Sequence, residues 1–460
     1  MAEKLHSKNS YGVDPDKTVT KLAKKLSWLV AGILVLLPFH ALLTTWAGSN
    51  FGHLDLWRVW KEILFLLMIV PVAWLVWKSP PLKKWLASSW IARLFIFYVM
   101  LHLILGFWAY GNHDVSKTAL VYGLIVNLRF IGFFILCAAV SAHSDFLRRH
   151  WRKILLLPAA VVITFGLIQK LFLPYDFLRH FGYGKNTIPA YQTVDSNIDY
   201  RRIQSTLRGA NPLGAYLVLI ITVLSTQLRK NLKLFGLFLA GDLVVLFYSY
   251  SRSAEIGVII ALVLVVWWAV GKKIPGRRFI FLLVVLAALL GVGIYVFRNS
   301  QPLQDTLFHT SNSSAAPRSS NADHLQSMKD GARDIIHQPL GGGPGTAGPA
   351  SFRNNQPPRI AENYFLQIGQ EVGIVGIALF VAINVLVAKE LWTRYLRGRA
   401  SQNHSRNQDQ LAKILLASLV GLTFVNLLSH AWTDDTLSYL WWGLAGIALA
   451  PVLTMSKKRV

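Results

Sequence analysis

The chain is a ladder of apolar segments, each about twenty residues long, whose connectors alternate between strongly basic and nearly neutral. A helix rising 1.5 Å per residue needs roughly 20 apolar residues to cross a hydrocarbon layer of about 30 Å. Twelve segments qualify, centred near residues 38, 70, 100, 129, 163, 220, 242, 264, 288, 375, 420 and 445. With the N-terminus placed in the cytoplasm, the connectors 1–27, 78–93, 143–153, 229–233, 272–278, 389–413 and 456–460 share one side. They hold 30 of the 47 Lys and Arg residues, the asymmetry expected of cytoplasmic loops. The expected fold is therefore all-α and integral to a membrane, with about 12 transmembrane helices. A cytoplasmic basic tail (1–27) precedes a polytopic membrane domain (28–455), and both termini are cytoplasmic. The first apolar run has spanning length after a long polar stretch, so it is expected to stay as an anchor.

This topology accounts for most of the net charge of +25, and no motif for nucleic acid accompanies it, so no nucleic-acid partner is expected. Apolar residues make up 53% of the chain and charged ones 15%, above and below the globular norm respectively. The lone cysteine, Cys137, lies in the fourth span, which excludes an internal disulfide and a cysteine metal cluster. Histidines such as His337 stand isolated, so neither a metal nor a cofactor is expected. Trp46, Trp77, Trp108, Trp267 and Trp432 fall near span ends, where an aromatic belt forms. Neither a fixed-period repeat nor an inverted repeat is evident.

Two connectors on the neutral side are too long for turns, residues 174–212 and 298–363, and long connections in compact proteins are commonly functional. In the second, residues 309–322 are rich in Ser, Asn and Ala and read as a linker. Leu325, Met328, Ala332, Ile335 and Ile336 then recur every three or four residues. This predicts an amphipathic helix near 323–337, ended by Pro339 and Gly341 to Gly343. The chemistry is expected on this outer side.

Four clusters there carry reactive side chains. Arg201, Arg202 and Arg208 precede Asn211-Pro212, a combination suited to cap and open a helix. Guanidinium forks match phosphate geometry, so these arginines either bind an anion or reach to lipid headgroups. Arg252, in Tyr248-Ser249-Tyr250-Ser251-Arg252-Ser253-Ala254-Glu255, is drawn to the bundle mouth by a connection of almost no length. A charge there faces a cavity or a partner, with Glu255 as one candidate partner. Glu362, ahead of Asn363 at the start of span ten, is either a base whose carboxyl pKa rises on burial or a helix-start acid. His430, Trp432, Asp434 and Asp435 join the last two spans and either contact sugar or cap helix ends. Arg129 stands alone within a span, with an internal pair or a function equally open. The run Gly341-Gly342-Gly343-Pro344-Gly345 lacks the Gly-Lys-Ser/Thr of a phosphate loop and follows no strand.

Taken in order, these pieces resemble the bacterial O-antigen ligase and polymerase superfamily of membrane glycosyltransferases. The resemblance rests on Asn211-Pro212-Leu213-Gly214-Ala215-Tyr216, Ser251-Arg252-Ser253-Ala254 and His337-Gln338-Pro339-Leu340-Gly341-Gly342-Gly343-Pro344-Gly345. It continues through Glu362-Asn363-Tyr364-Phe365-Leu366-Gln367 with Glu371-Val372-Gly373-Ile374-Val375-Gly376, and more weakly through residues 430–435 before Trp441-Trp442-Gly443. It implies a GT-C-like fold in the inner (cytoplasmic) membrane. The implied reaction transfers a glycan from an undecaprenyl-diphosphate-linked donor to a lipid A-core, another envelope acceptor or a growing polysaccharide, outside that membrane and without metal. Arg252 with Arg202 or Arg208 is implied to hold the donor diphosphate, and Glu362 to be the catalytic base. Ligases of the family generally carry His where Glu362 stands here. Tyr248, His430, Trp432 and Asp434 are candidates for sugar contact. The rival is a flippase for the same lipid, which would line both halves of the membrane with charge; Arg129 is its one support.

Overall fold

The computed structural model describes residues 17–194, 197–228, 231–271, 274–300, 320–400 and 406–451. Most of the basic tail and of the 309–322 linker lies outside them. The chain is almost entirely helical. In order the helices are α1 (Lys17–Leu36), α2 (His40–Phe51), α3 (Leu54–Arg58), α4 (Trp60–Lys78), α5 (Pro80–Ser88), α6 (Trp90–Gly111), α7 (Lys117–His143) and α8 (Phe146–Leu171). They continue with α9 (Ala210–Gln227), α10 (Leu232–Ser249), α11 (Arg252–Val270), α12 (Gly276–Val296), α13 (Ser320–His337), α14 (Tyr364–Ala400), α15 (Arg406–Leu428) and α16 (Asp435–Leu449). Among the described residues ten helical stretches are long and apolar enough to cross a membrane. Two further segments that the sequence counts as spans form α12 and the 15-residue α16.

Burial runs opposite to that of a water-soluble protein. Large apolar side chains face outward: on α4, Leu66, Leu67 and Val70 are 60%, 68% and 75% exposed. A belt of this kind is tolerated only against lipid or a partner. The centre is α16, buried along its whole length, with α7, α9 and α15 around it. Packing is close where side chains are small. A β-carbon on Gly257 of α11 would stand 2.6 Å from Val425 Cγ2 of α15, so glycine sets that crossing, as is common between membrane helices. The molecule is a polytopic helical membrane protein.

The first apolar segment is not one straight rod. Pro38 lacks an N–H and ends α1, and a 3-10 turn at Leu37–Phe39 precedes α2. Carbonyls freed there are taken from other elements: Thr436 Oγ1 donates to Leu37 O at 3.0 Å and Thr206 Oγ1 to Pro38 O at 2.8 Å. Backbone irregularity at membrane depth needs such partners. Of the tryptophans expected in an aromatic belt, Trp46, Trp77 and Trp108 are exposed, whereas Trp432 is not. That ring is 3% exposed and packs against Trp441 and Trp442.

The glycine run 341–345 is a docking turn. Gly342 N and Gly343 N donate to the carbonyls of Gln370 and Glu371, each at 2.8 Å, and Ile374 N returns a bond to Pro339 O. The Glu371 carboxylate accepts from Gly345 N and from Asn127 Nδ2 of α7, both at 2.7 Å. The partner surface is a kink in α14, where Gly373 takes φ 69°. A β-carbon there would overlap the 339–340 backbone, so only glycine allows the approach.

Candidate functional site

Four segments meet where α9, α11, α14 and α16 begin. The first is a two-stranded antiparallel hairpin, β1 (Gln192–Val194) and β2 (Asn197–Arg202), the one departure from all-helical structure among the described residues. The chain after β2 is pinned. Ile203 N donates to Tyr248 O (3.0 Å), Ser205 N to Gln169 Oε1 (2.8 Å) and Ser205 Oγ to Val162 O (2.7 Å). These bonds fasten the segment to α8, through Gln169 and Val162, and to the elbow between α10 and α11, through Tyr248.

Arg202 therefore lies against the start of α11. Its Nε donates to Ser249 O at 2.8 Å, and its Nη2 to Asn211 Oδ1 at 2.5 Å and to Tyr250 O at 3.3 Å. Every one of these acceptors is neutral. Desolvation, and then the nearby Arg252 guanidinium, push its pKa down to about 10. Arg208 sits elsewhere, with Nε 4.0 Å from Asp434 Oδ2. Asn211 does not cap α9 as its sequence position suggests. The helix begins at Ala210 with Gly209 as N-cap, because the Asn211 side chain is used by Arg202.

Arg252 opens α11 and donates from Nη2 to Asn321 Oδ1 of α13 at 2.8 Å. Helix α13 thus folds back over the mouth on a stripe that shares Met328 and Ile335 with the apolar one legible in its sequence but is rotated away from Leu325, Ala332 and Ile336. Asn321, His324, Met328, Gly331 and Ile335 face the protein. Leu325 and Ile336 are 54% and 77% exposed, and Ala332 is exposed as well. The packed stripe is polar at its N-terminal end because it covers a polar site. It is small at Gly331 because a β-carbon there would come within 2.9 Å of Ala361.

That register brings His324 Nδ1 into direct contact with Glu362 Oε2. His324 is a residue the sequence offered no reason to select. Glu362 has φ 49°, a left-handed conformation rare for a long side chain. Ser205 and Tyr250, in the segments that carry Arg202 and Arg252, share it with φ 50° and 49°. Among the described residues, three of the five non-glycine residues with positive φ thus border one site, and strain of this kind persists where surrounding structure imposes it. Asn363 holds the junction by capping Leu366 N (3.0 Å) and donating to Leu427 O (2.9 Å).

The segment between α15 and α16 closes the group. Burial, then the Arg208 charge and His324, push His430 down to about 4. Asp434 caps α16 through Leu437 N at 3.1 Å; burial and the adjacent Asp435 carboxylate raise its pKa. Trp432 lies in the tryptophan core, 3% exposed, which leaves it no face for a sugar, whereas the half-buried Tyr248 carries Lys170 Nζ 4.3 Å from its ring centroid. Arg129 donates from Nη2 to Thr433 O at 2.5 Å, tying this segment to α7. Among the described residues no group of His, Cys, Asp and Glu is arranged to hold a metal ion.

The site brings together Arg202, Arg252, His324 and Glu362, flanked by Arg208, His430 and Asp434. Chemically it offers paired cations for an anion beside a carboxylate–imidazole pair. No curated relative matches the chain. A family model described as O-antigen ligase matches residues 235–381, a stretch that contains Arg252, His324, Glu362 and the glycine turn. Over that stretch, about a third of the chain, the protein is similar to the O-antigen ligase-like superfamily.

Proposed function

We propose that the protein is a glycosyltransferase taking a glycan from an undecaprenyl-diphosphate-linked donor and passing it to an acceptor hydroxyl. The acceptor is a lipid A-core, another envelope glycan or a growing polysaccharide chain. The reaction runs on the outer face of the cytoplasmic membrane, within a twelve-span, GT-C-like bundle. The observation that carries this reading is the juxtaposition of Arg202 and Arg252, the former bonded to neutral oxygens alone. Two guanidinium groups close enough to depress the pKa of one of them, with Glu255 of α11 within electrostatic reach of Arg252, form a basic mouth suited to a diphosphate. They would oppose the negative charge that builds on the leaving group as the anomeric bond breaks.

The pair formed by Glu362 and His324, within electrostatic reach of the two arginines, makes the acceptor side. Arg208, engaged by Asp434, belongs to the rim, and Tyr248 and His430 are the remaining candidates for a sugar contact. Transport of the same lipid is the poorer reading, because Arg129 serves as a structural tie to Thr433.

The test is transfer by purified protein from an undecaprenyl-diphosphate glycan, with the glycans of a deletion strain examined in parallel. Loss of attachment in the strain marks a ligase, and loss of chain length a polymerase. Absence of transfer together with ATP-independent lipid translocation in vesicles would sink the proposal.

A further inference from the structure

We propose that His324, and not Glu362, is the group that touches the acceptor hydroxyl, with Glu362 acting through it as a positioning residue. The inference rests on the glycosyl-transfer reading above and deepens it.

The geometry begins with the contact between His324 Nδ1 and Glu362 Oε2. An imidazole nitrogen facing a carboxylate carries the proton, which leaves Nε2 as the ring's free lone pair. A carboxylate occupied by that N–H is a poorer base toward a third group than the imidazole it orients. The two side chains are 38% and 34% exposed, so the pair stands at the mouth, open to an incoming sugar.

The surroundings keep the ring neutral. Arg252 at the start of α11 and Arg202 on β2 both act on His324. His430, ahead of α16, also lies within electrostatic reach, and Asp323 on α13 itself pulls the opposite way. Desolvation is the largest influence, the two arginines follow, and the net effect lowers the imidazole pKa. An unprotonated base is thereby present at neutral pH. The same arginines hold the donor diphosphate, so base and leaving-group site share one pair of charges.

The step balances. The acceptor oxygen forms a bond to the anomeric carbon while the bond from that carbon to the diphosphate oxygen breaks and its electron pair leaves with the diphosphate. The hydroxyl proton passes to His324 Nε2 and then to water. Glu362 stabilises the imidazolium formed in between.

The experiment is the pH–rate profile of transfer by the full-length protein from a purified undecaprenyl-diphosphate glycan, with donor binding measured separately. In the parent protein the rate should rise with pH along one acid limb at or below pH 6.5. His324→Gln should lower the rate about 100-fold or more and abolish that limb, with donor affinity retained. His324→Asn serves as the second variant. Glu362→Gln should keep the limb but displace it to lower pH, with a smaller loss of rate, because the carboxylate that favours imidazolium is gone.

A His324→Gln protein that is folded and retains the limb, or works at the parent rate, overturns the proposal. So does a limb that vanishes only in Glu362→Gln, which would make the carboxylate the base. Failure of the parent protein to transfer at all overturns the glycosyltransferase reading instead, and the two outcomes are distinct.

Discussion

Lys61 Nζ lies 2.8 Å from Asp435 Oδ2, and both side chains are almost wholly buried. Lys61 also approaches Glu62 at 3.2 Å and His40 Nε2 at 3.1 Å, while His40 receives Trp60 Nε1 at 2.9 Å. The pair joins the first turn of α4 to the first turn of α16 and to α2 just past the Pro38 break. It thus lies beneath the segment that carries His430 and Asp434. Removing one partner of an isolated buried ion pair costs about 3–5 kcal/mol, and His40, 3.2 Å from Asp435 Oδ2, brings the loss here to the lower end of that range. Lys61→Met should therefore melt well below the parent protein in detergent. Lys61→Met with Asp435→Leu should recover much of that loss, and equal melting of the single variant and the parent would refute the role.

Arg252→Lys should be nearly as damaging as Arg252→Ala. A lysine keeps the charge but not the planar fork that both bonds Asn321 and matches a diphosphate. The loss is about 2–4 kcal/mol of barrier, by analogy with an oxyanion donor. Transfer rates at matched protein levels measure it, and full activity in Arg252→Lys would reduce the residue to a point charge.

Arg202→Ala should weaken donor binding more than Arg208→Ala. Arg202 stands with Arg252, whereas Arg208 is partly neutralised by Asp434. Titration with a fluorescent polyprenyl diphosphate distinguishes the two, and the reverse order would move the anion site to the rim.

Acid should destabilise the protein through His430. Its folded pKa, about 4, lies below the ordinary 6.5, so the unfolded chain binds the proton first. The neutral form's contribution is fully present above pH 6.5 and is lost as pH falls towards 4. It amounts to at most about 3 kcal/mol. Melting temperature followed from pH 7 to pH 4.5 should fall less steeply in His430→Asn than in the parent protein.

Topology is checked with single cysteines in a Cys137→Ala background. Asn355 and Ser88 are both exposed and lie in connectors expected on opposite sides. An impermeant maleimide applied to intact cells should label Asn355→Cys and spare Ser88→Cys. Labelling of both would refute the assigned orientation.

The helical, membrane-spanning character was legible because hydrocarbon imposes one requirement, an apolar run of spanning length, and that is written locally. Arg252 was legible too, since a charge between two spans with almost no loop has few places to go. Other features depend on distant pairings. Lys61, His40 and Asp435 read as unrelated polar residues until three helix starts are superposed. The choice between Arg202 and Arg208 turns on β2 being pinned to the α10–α11 elbow, and Asn211 is drawn from capping by that same arginine. His324 was hidden because the apolar periodicity of α13 marks Leu325 and Ile336. The face that packs is chosen by a polar site and a close crossing at Gly331.

Helix α13 is held against the start of α14 at two points. At one end His324 meets Glu362; at the other Asp334 Oδ2 accepts from Arg359 (3.0 and 2.8 Å) and from Gln370 (2.6 Å). Ten residues separate them, about 15 Å of helix. The helix is in effect a ruler, its length matched to the distance between two fixed marks. One residue added or deleted between 325 and 333 would turn His324 by roughly 100° about the axis and swing the imidazole off the mouth, with every side chain of the site still present. The reach of this protein's chemistry is thus set by a count of residues as much as by their identity.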